Sequence, residues 1–321
     1  MRRRAVLTSL AAATAGTLAG CVGVGGGCSS GTDLAFEPVD PAEIASRETA
    51  DDIAAAPAMM ADLATRTLEG ESPTVEVVTR SPISWLTYVE RDGQFYEIHE
   101  ETLESGTVTG PAYELERDRD TDDDHASADA ISFDELPVHD QWRINDAAGF
   151  TIEEVEHMSF TASTVAGYLA DDDQADSVLA AGVDEPYLAV DGHLIGLERH
   201  DEDSTSAHRI RHTAQRVAEN VDGFAGHVLE RRGAELPEPT EDVQALLEDA
   251  REDGGSINVC DHDVDDNTEA EAQREAVRRD AIEELRTTLQ DLEDDPDTPD
   301  RIEYVEYEGE WHRISISNWV V

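Results

Sequence analysis

Tyr304-Val305-Glu306-Tyr307-Glu308-Gly309-Glu310-Trp311-His312-Arg313-Ile314 reads as a β-hairpin, because an acid-Gly pair sits between two alternating apolar runs. The phrase recurs upstream as Tyr88-Val89-Glu90-Arg91-Asp92-Gly93-Gln94-Phe95-Tyr96-Glu97-Ile98, and more loosely as Tyr187-Leu188-Ala189-Val190-Asp191-Gly192-His193-Leu194-Ile195-Gly196-Leu197. An acid-Gly pair supplies the positive φ angles that a two-residue primed turn requires. Gly93, Gly192 and Gly309 are therefore read as turn glycines. Placing the first turn at Asp92-Gly93 sets Val89 opposite Tyr96 and Glu90 opposite Phe95. The same register at the third copy puts Val305, Ile314 and Ile316 on one face and Tyr304 and Trp311 on the other. These aromatics are read as core and not as a ligand platform.

Working outward, each hairpin follows a helix, a stop and a strand. Leu63 to Ser72 with Thr74 to Val77, and Leu246 to Ser256 with Ile257 to Val259, are the clearer cases; Asp140 to Gly149 with Phe150 to Ile152 is ordered alike. This predicts three divergent modules, one over 51–120, a second with an added helix over 130–235, and a third over 236–321. A further strand is expected from Thr107 to Glu116, then an acidic linker from Asp118 to Asp129. Two long helices are predicted. One runs from about Thr205 to Arg232 with Ile210, Ala214, Val217, Val221, Phe224 and Val228 as its apolar stripe. The other, Glu269 to Leu292, carries Val277, Ala281, Leu285, Leu289 and Leu292. Strands and helices mixed without strand-helix-strand alternation point to α+β with antiparallel sheet.

The N-terminus speaks of location. Arg3 and Arg4 precede an apolar run from Ala5 to Gly20 that is too short and too Ala-rich for a membrane span, so residues 1–20 read as an export signal. The run ends in Leu18-Ala19-Gly20-Cys21, which resembles the lipobox of prokaryotic lipoproteins, and the arginine pair looks like a twin-arginine signal. Cys21 is then the lipidated residue and membrane lipid its partner. Residues 21–50, opening on a glycine-rich stretch, are read as a flexible tether.

The formal net charge is −51, and the basic residues are all arginine, with no lysine in the chain. Such self-repulsion opposes compaction in dilute buffer, whereas at ~1 M salt the Debye length is only ~3 Å. A folded body is nonetheless expected, since 39% of residues are hydrophobic and clearly periodic. The charge excludes nucleic acid as a partner. Acidic, lysine-free and lipobox-bearing, the chain resembles haloarchaeal lipoproteins exported by the twin-arginine route. That resemblance implies a lipid-anchored protein on the extracellular face of the cell membrane, adapted to high salt, and brings no activity with it.

Candidate chemistry is sparse. His208 and His212 lie four apart on the first predicted long helix, a spacing that can set two imidazoles on one metal, yet they lack the Glu of a His-Glu-x-x-His pattern and point away from the apolar stripe. A solvated face is the preferred reading. The arginines around them, Arg209, Arg211, Arg216, Arg231 and Arg232, are expected to dock an acidic neighbour, most simply within the chain. Asp261, Asp263 and Asp265 resemble the start of a calcium loop, but Asp266 stands where Gly is needed and Ala272 where Glu is needed. Cys260 is read as a buried free thiol, with pairing to Cys28 as the other option.

There is no Gly-x-Ser-x-Gly, phosphate loop or Cys-x-x-Cys pair, and no pattern calls for a cofactor. With 74 acidic residues, carboxylate pairs point to nothing in particular. The leading expectation is a non-enzymatic surface lipoprotein that binds a ligand or an envelope protein. The alternative is an extracellular hydrolase or solute-binding protein with its site between modules, marked by a pocket that includes Trp142, Trp311 or His312.

Overall fold

The computed structural model describes residues 29–50, 53, 56–117, 129–149, 159–260, 268–296 and 298–320. Strand β1 (Ser30–Pro38) is followed by helix α1 (Pro41–Glu48), which starts on a capping box between Asp40 and Glu43. Helix α2 (Ala58–Leu68) leads to β2 (Thr74–Val77), and a hairpin joins β3 (Tyr88–Arg91) to a long β4 (Gln94–Arg117). Then come β5 (Ala130–Ser132), α3 (Val138–Ala148), β6 (Phe160–Val165), and two short helices, α4 (Asp171–Asp176) and α5 (Val178–Ala181). The second hairpin joins β7 (Tyr187–Val190) to β8 (His193–Ala218). Helix α6 (Val221–Arg232), β9 (Gly233–Glu235), α7 (Glu241–Glu252), β10 (Ser256–Cys260) and α8 (Glu269–Glu293) precede the last hairpin, β11 (Tyr304–Tyr307) with β12 (Glu310–Val320). The fold is α+β with antiparallel-rich open sheets.

All three acid-Gly pairs form the turns they encode. Asp92, Asp191 and Glu308 have φ of 54, 48 and 55°, and Gly93, Gly192 and Gly309 follow at 74, 85 and 81°. Positive φ at both central positions is the type I′ turn, whose twist matches that of the strands it joins. The registers follow, with Val89 opposite Tyr96, Leu188 opposite Ile195, and Val305 opposite His312.

The chain divides into two compact units, Asp40–Val228 on one side and the segments ending at Val39 and beginning at Leu229 on the other. Within the first, β4 and β8 pair antiparallel along most of their length, from Phe95 opposite Ala218 to Glu116 opposite Gly196. Each long strand thus serves two hairpins: its own, through its first half, and the other one, through its second. Beyond β8 lies β2, with Val75 opposite Ile210; beyond β4 lies β6, with Leu115 opposite Ala162. On the outer side of each hairpin a short parallel partner is added, the Thr49 bridge to Tyr88 in one case and β5 beside β7 in the other.

The second unit repeats this order with one substitution. Its sheet runs β10-β1-β12-β11-β9, and β9 pairs parallel with β11 as β5 does with β7. Strand β1 occupies the place beside the hairpin that β8 and β4 take in the first unit, with Leu34 opposite Ile316 and Phe36 opposite Ile314. Leu34 and Phe36 are fully buried among residues of α7 and α8, including Leu246, Leu247, Ala281 and Leu285.

Several expectations are corrected here. Residues 30–48 are not part of a flexible tether: Ser30–Pro38 is an inner strand and Pro41–Glu48 a capped helix. The first two modules are not separate bodies but share one sheet. The strand expected from Thr107 to Glu116 is the second half of β4. The helix expected from Thr205 to Arg232 is helical only from Val221; its first part is strand β8. Ile210 and Ala214, four apart, satisfy both a helical stripe and a period of two, and pairing with Thr102 and Ile98 of β4 decides for the strand. The helix expected from Glu269 is present as α8, with a second capping box at Thr268 and Glu271. Cys260 is disulfide-bonded and not a free thiol; its partner lies outside the described residues. Cys21, Cys28, Asp261, Asp263, Asp265, Phe150 to Ile152 and most of the acidic linker also lie outside them.

Candidate functional site

Helix α3 is pinned into the first unit by charged groups that its neighbours neutralise. Arg143 is wholly buried, donates to Glu76 Oε1 of β2 at 2.8 Å and to the Gly167 carbonyl at 2.9 Å, and lies 4.8 Å from the Tyr168 ring centroid. Glu76 also accepts from Leu169 N–H at 2.9 Å. Burial pushes its carboxyl above the usual range, against the opposing pull of Leu169 N–H and Arg143. Asp140, equally buried, accepts from Ser177 Oγ at 2.6 Å and from the Val178 and Leu179 N–H groups at 2.9 and 3.2 Å. Tyr168 donates to it at 2.5 Å, and burial with this carboxylate raises the phenol pKa. These groups are structural: Asp140 is satisfied on both oxygens and Arg143 Nη2 is spent on Glu76 and Gly167, while Arg143 Nε and Nη1 are buried with no hydrogen-bond partner among the described residues.

At the other end of α3 a cleft opens. It holds about 160 Å³ and lies between the turn at 79–85 that follows β2, the C-terminal end of α3, and Met60 of α2. That volume is below the ~300–1,000 Å³ of drug-sized ligand pockets, so the space suits a small molecule. Trp142 of α3 forms one wall and is 6% exposed; Trp85 stands at the mouth, 50% exposed. The Asp146 carboxylate is engaged by the N–H groups of Val78 and Thr79 and by the Thr79 hydroxyl, which fixes the entry to the turn. Asn145 Nδ2 points to Met59 Sδ at 3.4 Å. Arg80, exposed, makes no ion pair or hydrogen bond among the described residues.

Ser81, also in the cleft wall, meets His212 of β8, its Oγ lying 2.8 Å from Nε2. Burial pushes the imidazole pKa down, so it is neutral near pH 7. The nearest carboxylate oxygen, Glu100 Oε1, stands 3.7 Å from the same Nε2, while Nδ1 is buried and unpartnered among the described residues. A serine-histidine relay needs its acid on the far nitrogen, where it sets the tautomer and stabilises the imidazolium. Among the described residues no carboxylate takes that place. The pair is a strut between the turn and the sheet, and sequence could not find it, because 131 residues separate its members and no nucleophile motif surrounds Ser81.

The structure separates the other candidates. His208 and His212 lie on a strand, where residues four apart are about 13 Å distant, too far to share a metal. His208 instead bonds Ser105 through Nδ1 at 2.8 Å. Among the described residues no cluster of three or more His, Cys, Asp or Glu groups is placed to hold a metal ion. Arg209 and Arg211 pair across the strands with Glu104 and Glu101, Arg216 pairs with Glu219, and Arg232 pairs with Glu303. Trp142 does line the cleft, but Trp311 and His312 belong to the other unit, where His312 is buried and stacks on Phe36 at 4.2 Å.

No described helix is long and apolar enough to cross a membrane. Comparison with protein-family models, curated proteins and solved structures finds no match for this chain.

Proposed function

We propose that the chain is a non-enzymatic, lipid-anchored protein of the extracellular face of the cell membrane, built for concentrated salt, that binds a small solute. The lipobox at Cys21 and the arginine pair Arg3-Arg4 support the location. The charge of −51 without a lysine supports the salt adaptation. The binding role rests on the cleft bounded by Trp85, Trp142 and Arg80, a concave site that sets two indoles beside polar side chains, where the first two modules meet. A hydrolase reading is less favoured, because no carboxylate among the described residues stands on Nδ1 of the Ser81–His212 pair.

The anchor is tested by Cys21→Ala. The variant is expected in the medium, and its persistence in the membrane fraction rules the lipobox out. The binding role is tested by titrating the purified soluble body with small solutes in multimolar KCl, following the fluorescence of Trp85 and Trp142; a set that perturbs neither indole defeats it.

A further inference from the structure

We propose that the cleft takes a small organic anion, a carboxylate on an apolar body, with Arg80 gripping the carboxylate and Trp85 and Trp142 flanking the carbon frame. This rests on the cleft being the ligand site argued above, and adds the chemical class.

The charge inventory of the cleft carries the assignment. Asp146 has its carboxylate engaged by two backbone N–H groups and a hydroxyl, so it does not face a ligand as a free anion. Ser81 is held by His212, and Asn145 is turned to Met59. Of the charged groups lining the cleft, what remains is the Arg80 guanidinium, with the exposed Ser84 hydroxyl as a neutral neighbour. In a chain with 74 acidic residues, Arg80 makes no ion pair among the described residues, while its near neighbours in sequence, Arg66 and Arg91, pair with Glu71 and Glu69. A guanidinium presents parallel N–H groups that match a carboxylate bidentately.

Beside it the half-exposed Trp85 offers a face that a planar or aliphatic body can cover, with Trp142 behind. The overall negative charge does not forbid the match. At ~1 M salt the Debye length is ~3 Å, so distant acids neither repel nor steer, and only groups in direct contact discriminate. The same chemistry is offered by a free acid or by the C-terminal carboxylate of a short peptide.

The test uses the soluble body in multimolar KCl with a set of small aromatic and aliphatic carboxylates, each paired with its neutral primary amide, and a second arm of dipeptides with free or amidated C-termini. Binding is read by calorimetry and by indole fluorescence. At least one acid is expected to bind about 10-fold or more tightly than its amide, the difference a charge-assisted pair supplies. Arg80→Gln should bring the acid down to the level of the amide, while Arg91→Gln, outside the cleft, leaves it unchanged. The arm that binds identifies the source. Amides binding as tightly as acids, with no effect of Arg80→Gln, overturns the anion class and leaves the cleft as a neutral site. No binding by any member, with the variants folded by circular dichroism, overturns both readings.

Discussion

Ser81 Oγ stands 2.8 Å from His212 Nε2, joining the turn after β2 to the middle of β8. Burial holds the His212 pKa below its unfolded value, and His312 in the other unit is shifted the same way for the same reason. Acid therefore protonates these imidazoles in the unfolded chain before the folded one. Stability should be full above the unfolded pKa of about 6.5 and fall as pH drops below it. Melting temperature in molar KCl should be level above about pH 7 and decline as the pH falls below about 6.5. A His212→Gln variant should flatten part of that decline; an unchanged acid slope would contradict the assignment.

Arg143 and Glu76 form the most deeply buried ion pair described, with side chains 0 and 2% exposed. Arg143→Met strands a buried carboxylate and should cost about 3–5 kcal/mol, whereas adding Glu76→Leu should recover much of the loss. Denaturant unfolding of the two single variants and the double variant measures the coupling. Additive losses would show that the pair is not coupled.

The hairpin glycines make a separable prediction. At Gly93, Gly192 and Gly309 an added Cβ meets nothing within 4 Å, so substitution strains only the backbone. Each change to Ala should cost about 1–2 kcal/mol, and Asn less. Gly110 differs: a Cβ there would stand 2.1 Å from the Ala166 carbonyl oxygen. Gly110→Ala should therefore be the most damaging of the four in chemical denaturation.

Strand β1 is structural, so Phe36→Ala should destabilise by about 3–5 kcal/mol. Hydrogen exchange should report the loss in β10, β11 and β12 first. Protection unchanged throughout those strands would mean that residues 30–38 are tether after all.

Local chemistry made part of this molecule legible. An acid-Gly pair between alternating apolar residues has few alternatives to a primed turn, so all three hairpins and their registers could be read directly, as could α8 from its apolar periodicity. Charge and the leader residues define solvent and destination at the level of expectation. Non-local pairing was not legible. The segment around Ile210 fits both a helix and a strand, and only the ladder to β4 chooses; β1 fits a tether until β10 and β12 close on it. The cleft belongs to the same class, because Arg80, Trp85 and Trp142 line one space only when two modules share one sheet. The sequence by itself determined turns, periodic faces and net charge, which depend on neighbours a few residues away. The tertiary structure decided strand partners, the buried Arg143–Glu76 pair and the site, which depend on contacts across tens to hundreds of residues.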